Sequence, residues 1–363
     1  MTHTGSAWPV DLRHGARLLR ASLGALSGLG TVARSRHGRL VLTAGSGALA
    51  VGLAVLAVRH FALSGWPLAH GRPVLLAAAG LLLLVSCAFK AYGWRRLFAA
   101  DERPEPLTLA AANGGASVTG VALPGRFDDA VRIAIVRRFP HCPASVRALC
   151  LSLFMLGLID SIALAPLAAA AAVLPGHSVS LRAGLALIAG AGIGAAALVI
   201  TLPRIAASKR LLRFRLARWL SPRTTSMRGA SQSWALVSAS WLLRAVALFL
   251  LLGAFGLGLS FPLAILFLCA GAAASALPIG PAGAAAQVGA GAAVLVASGV
   301  VVSQAVAFAV AVQAMGVLSG AAILLSAVAW RGGLRLRRPG LEVALHVPEA
   351  IGKRKTGPGA EPT

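Results

Sequence analysis

Long apolar runs alternate with basic links along almost the whole chain, and this alternation restricts the fold more than any other feature. Leu40–Val58 carries no charged residue, and neither does the stretch from Phe261 to Gly299. Inside a bilayer each backbone N–H and C=O must find a partner within the protein, so apolar runs of this length are read as helices. About 20 residues of helix cross a hydrocarbon core of ~30 Å. Six runs meet that length: Leu40–Val58, Val74–Trp94, Ala148–Leu174, Ala183–Leu202, Trp234–Leu259 and Val302–Trp330. Of the 363 residues, 58% are hydrophobic and 12% are charged. Water-soluble domains carry about 25% charged residues, so a soluble enzyme and a disordered chain are both excluded. The expected fold is an all-α polytopic membrane helix bundle with about six to eight transmembrane helices.

Where the charge falls sets the expected orientation. The formal charge is +24, with 34 Lys and Arg against 10 Asp and Glu. The basic residues lie almost entirely between or beyond the apolar runs, where the positive-inside rule accounts for them without a nucleic-acid partner. Rich links (before Leu40, from Arg95 to Arg147, from Arg204 to Arg228, and after Trp330) alternate with poor ones (around Arg72, around Arg182, and between Leu259 and Val302). This predicts a multi-pass protein of the cell membrane with both termini cytoplasmic. The chain then divides into a basic N-terminal segment (1–39), a membrane domain (40–330) with a basic loop at 203–232, and a basic tail (331–363). The Ala, Leu and Arg bias is the one associated with GC-rich bacteria. Between 204 and 220, Leu212, Leu216, Trp219 and Leu220 recur at helical spacing among basic residues. Such a segment anchors at a basic loop or lies on an anionic leaflet.

Two segments do not read as simple spans. Leu107–Leu123 is apolar and rich in small residues, yet it lies inside a link that must begin and end on one side. The stretch 261–299 holds two short runs separated by "LPIGPAG". Both are expected to be re-entrant or broken, with breaks at Pro124 and Gly125 in the first and at Pro278, Gly280, Pro281 and Gly283 in the second. Non-helical backbone at membrane depth is tolerated only beside protein or a water-filled cavity. "VALPGRF" and "SALPIGP" each follow a small-residue stretch, and the spans before them run in opposite directions. That is the pattern of an inverted repeat.

Few residues can carry chemistry. The eight His residues all lie in links or tails, and the four Cys form no C-x-x-C pair, so Cys is read as small apolar filler. No catalytic constellation, cofactor or metal site is expected. The one charged cluster is "LPGRFDDAVRIAIVRR". Its Asp128 and Arg132 are four apart on a helix and can pair. It reads either as a solvated self-paired helix or as a headgroup site built from Arg126, Asp128, Asp129 and Arg132. Asp160 and Arg244 lie near the centres of their spans, where a charge costs about 2.5–3.5 kcal/mol. They either pair with each other or face a polar cavity. Lys90 is expected to snorkel from a span end, and Tyr92 and Trp94 to lie at the interface. Gln287, Gln304 and Gln313 suit interhelical hydrogen bonds.

"LPGRFDDAVR" and the later "PIGPAGAAAQVGAGAAVLVASG" together resemble the two motifs of the lysylphosphatidylglycerol synthase transmembrane region, a family of flippase-like membrane proteins. The resemblance spans about 40–330. It departs in three places. Asp128 and Asp129 stand where the family has a Glu, and Ala282 replaces a Gly. The acid that usually follows the second motif is absent, with Gln287 and Val288 near its position. The residues after Trp330 are too few for the family's soluble aminoacyl-transferase domain. The resemblance therefore implies lipid translocation or a membrane role beside lipid synthesis, not a synthase.

The expected function is to bind or translocate an anionic or glycosylated lipid, with membrane lipids as partners. Arg126, Arg132 and Arg244 would hold the phosphate, and Asp160 a cationic group or proton. Gln287 is the candidate polar group of the second break. The alternative is a non-transporting scaffold with envelope-synthesis partners. The orientation is testable in cells with the native cysteines removed. A cysteine at position 36 or 353 should react only from the cytoplasmic side, and one at position 182 only from the other side.

Overall fold

The structure is a computed structural model that describes residues 71–120, 127–139, 142–173, 179–206, 227–276 and 283–336, with isolated positions between 59 and 68. Every α or β element among them is an α-helix: α1 (Pro73–Arg95), α2 (Pro106–Thr119), α3 (Phe127–Arg138), α4 (Val146–Val173), α5 (Val179–Ala206), α6 (Met227–Ala254), α7 (Phe261–Ala276), α8 (Gly283–Ala297) and α9 (Val302–Leu336). Five of them, α1, α4, α5, α6 and α9, are long and apolar enough to cross a membrane. The chain is a polytopic helical membrane protein. The Leu40–Val58 run, the 1–39 segment and most of the tail lie outside the described residues, as do Pro124, Gly125, Arg126, Pro278, Gly280 and Pro281.

Local chemistry sets the helix ends. Pro73 and Pro106 open α1 and α2, where a missing N–H costs nothing. The run expected to reach Leu259 stops as a helix at Ala254. There Gly256 takes φ +75° and the Leu257 N–H returns to the Leu252 carbonyl at 3.0 Å. This is a Schellman turn, which satisfies carbonyls the helix end would leave open. Gly299, at φ +91°, ends α8 the same way, with the Val300 N–H on Leu295 O. At the basic loop, α5 runs on to Ala206 and α6 begins at Met227, so the link is shorter than 203–232.

The two problem segments are both helical hairpins. α2 packs against α3, and α7 against α8. α2 is about 21 Å long and α7 about 24 Å at 1.5 Å per residue, short of the ~30 Å core. Gly115 abuts Ile135 in the first hairpin, and Gly291 abuts the Phe267 ring in the second.

α1 and α6 form the central antiparallel pair. The Arg72 N–H donates to Ala254 O at one end (3.2 Å), and Gly93 faces Ser233 and Val237 towards the other. The ends at Arg95, Arg138, Val146, Ala206, Met227 and Leu336 thus share one side, called here the basic side. The α2–α3 hairpin enters from that side and α7–α8 from the opposite side. Matching α1–α4 with α6–α9 in order preserves the packing. α1 on α2 corresponds to α6 on α7, α2 on α9 to α7 on α4, and α3 on α4 to α8 on α9. The expected inverted repeat is therefore present in the pairing of helices.

Each hairpin has its own core. Trp94, Phe98, Leu109, Val136, Leu149, Leu156 and Val237 pack on the basic side. Leu251, Leu252, Phe267, Leu295 and Phe308 pack on the other, with Phe308 edge-on to Phe255 and Phe267. Trp94 is fully buried, contrary to its expected place at the interface, while Tyr92 is half exposed. The Trp94 indole N–H donates to Ser152 Oγ at 2.9 Å, and this bond makes its burial tolerable.

α2 and α9 cross at Gly114 and Gly320, where backbone meets backbone and an added Cβ on either would collide. Gly114→Val should lower the midpoint of thermal unfolding in detergent, corresponding to about 1–3 kcal/mol of overpacking. Gly194→Ala, which faces open space, should leave it unchanged.

Candidate functional site

Between the two cores, at mid-depth, lies a group of polar side chains from α1, α4 and α6. On α1, Ser86 and Lys90 are one turn apart. On α6, Trp241 and Arg244 are three apart and share a face. Asp160 projects from the middle of α4. The Lys90 ammonium lies 2.8 Å from Asp160 Oδ2, with both side chains mostly buried. The Trp241 indole N–H donates to Asp160 Oδ1 at 3.0 Å. Asp160 thus has a donor on each oxygen, and three helices are joined through one carboxylate.

This corrects two expectations. Lys90 does not snorkel, because Asp160 offers it a counter-charge inside the bundle. Asp160 does not pair with Arg244. Arg244 instead lies over the Trp241 ring, 5.4 Å from its centroid, and its Nε–H reaches Ser86 Oγ at 3.4 Å. The Lys90 ammonium lies 5.8 Å from the same ring centroid. Among the described residues no carboxylate comes within ion-pair distance of Arg244.

The first turns of α3 supply the remaining charges. Arg132 binds Asp129 Oδ1 at 2.6 Å and Asp128 Oδ2 at 3.2 Å, so two acids share one guanidinium. The Arg132 Nε is buried without a partner. The i,i+4 pair expected from the sequence is therefore present, and its two acids stay partly exposed, at 33% and 41%. Gln287 is on α8, and no hydrogen bond or ion pair of the site reaches it. α7 and α8 carry no charged residue.

Lys90, Trp241 and Ser86 are the site residues that sequence reasoning missed. A lysine five residues from a helix end gives no sign of facing inward. The available signal was Asp160 itself, since a central acid needs a cation at its own depth. Among the described residues no group of three His, Cys, Asp or Glu forms a possible metal site.

The family model for the lysylphosphatidylglycerol synthase TM region matches residues 39–323, well over half of the chain. No curated protein and no solved structure matches it.

Breaking a buried ion pair from one side costs about 3–5 kcal/mol, because the other charge is stranded. Here the side chains keep some exposure, so a loss on the order of 2–3 kcal/mol is expected for Asp160→Asn or Lys90→Met alone. The double variant should recover most of it, as read from thermal unfolding of the four proteins.

Proposed function

The chain belongs to the lysylphosphatidylglycerol synthase TM-region family, and from that premise we propose that it binds the phosphate of an anionic lipid at Arg244 and passes the headgroup between leaflets. The observation that carries the reading is a central arginine with no carboxylate partner among the described residues. A charge at that depth costs about 2.5–3.5 kcal/mol when isolated. A planar guanidinium offsets that cost best with an oxyanion that accepts two parallel hydrogen bonds, as a phosphate does.

In this reading the neighbouring residues have distinct tasks. Trp241 and Ser86 fix the plane of the Arg244 fork. Lys90 and Trp241 hold Asp160 in place, so Asp160 keeps the three helices in register and does not receive cargo. Arg132, with Asp128 and Asp129, forms the polar wall where the first hairpin approaches the site. Arg126 precedes that wall in sequence and would add one cation. The lipid tails stay in the bilayer while the headgroup follows the polar path. By the positive-inside rule the basic side faces the cytoplasm of the cell membrane. No catalytic step is part of this function.

The uncharged second hairpin favours one competing reading, a membrane scaffold without transport. Reconstitution separates the two. Full-length protein in proteoliposomes should accelerate loss of fluorescent phosphatidylglycerol to an impermeant quencher. Arg244→Ala should slow that exchange about tenfold, the equivalent of one charge-assisted hydrogen bond of ~1.4 kcal/mol. Exchange of no lipid by correctly folded protein would favour the scaffold.

A further inference from the structure

The two ends of the inverted repeat are fastened differently. On the basic side, Arg331 near the end of α9 reaches over to the first hairpin. Its Nη2 donates to Glu105 Oε2 at 2.6 Å and to Thr108 Oγ1 at 2.8 Å. Its guanidinium carbon lies 4.2 Å from the centroid of the Phe139 ring, just beyond α3. One side chain thus joins α9, the start of α2 and the end of α3. Deeper along the same seam, Gly114 meets Gly320 backbone to backbone, and Ser117 presses on Gly320.

The repeat makes α7 against α4 the counterpart of this seam. That counterpart is built from side chains only: Leu164 and Ala168 with Ile265, Leu266 and Cys269. It has no ion pair among the described residues. Related seams with unlike packing are what an inverted repeat adopts when one side is closed, and exchanging the two packings moves access to the other side.

We propose that the Arg331 clasp is a latch that holds the α2–α3 hairpin against α9, and that a lipid headgroup reaches the site from the basic side only when the latch opens. The inference rests on the lipid reading for its cargo, but the latch itself is a property of the protein. Its strength suits a switch. Glu105 is 72% exposed, so its ion pair is weak. Thr108 is buried and the Phe139 ring is apolar, so together they give the arginine one defined seat. Glu105 and Arg331 lie at the rim and touch none of the site residues.

The test reads two thiols in the full chain in lipid nanodiscs. Native Cys269 is fully buried in the α4–α7 seam. The reporter is Ser319→Cys, the residue before Gly320, at a position that is 7% exposed. Cys87, Cys142 and Cys150 are replaced by alanine. Arg331→Ala or Glu105→Arg should raise maleimide labelling of the reporter about fivefold, the upper range for a contact of this kind. Cys269 should stay protected. The exchanged pair, Glu105→Arg with Arg331→Glu, should restore slow labelling. Unchanged reporter labelling overturns the latch. A parallel rise at Cys269 also overturns it, because that is general loosening. If the reporter responds as stated while no lipid is exchanged by any version, the latch stands and the lipid reading falls.

Discussion

A charge cannot stay alone at the middle of a bilayer, and the Lys90–Asp160 pair is how this chain meets that constraint. The pair fixes the depth of α1 against α4. Trp241 adds α6 to the same carboxylate, so three of the long helices are set in register by one group. Apolar packing in a membrane gives little directional preference, since lipid tails are as apolar as leucine. Polar contacts of this kind therefore specify the arrangement, even where they add little net stability. Arg244 follows from the pair. With Asp160 taken by Lys90, the second central cation stacks on Trp241 and reaches Ser86.

The hairpins depend on the same logic in backbone form. A chain that turns back inside the membrane needs neighbours that satisfy and enclose it. Small residues permit this. Gly114, Gly115, Gly291 and Gly320 each lie where any side chain would collide with a packed neighbour. Close helix approach exchanges side-chain bulk for contact area, which is the common way helices associate in lipid. The result is two half-cores, with the polar group at the level between them.

Much of this was legible in the residues. Apolar length and charge alternation marked the spans, because hydrophobic transfer acts locally; of the Pro and Gly positions expected to break the two short segments, only Gly283 is among the described residues, at the start of α8. The Asp128–Arg132 pair was legible for the same reason, since four residues is one helical turn. The Lys90–Asp160 contact was not. Those residues are 70 apart in sequence, and nothing local distinguishes a lysine that reaches outward from one that reaches inward. The buried Trp94 was misread for a like reason. Its burial depends on Ser152 of another helix offering an acceptor.

By itself the sequence determined that this is a helical membrane protein, where its long helices lie, that two segments turn back, and which family it belongs to. The first three follow from composition and from short-range patterning, and the family follows from the match of residues 39–323 to its model. The tertiary structure alone decided which central charges neutralise each other, that Arg244 stacks on Trp241 and does not pair with Asp160, and that the two related seams are packed unlike one another. Those outcomes depend on which helix stands beside which. That choice is made by non-local contacts, and no short stretch of sequence encodes them.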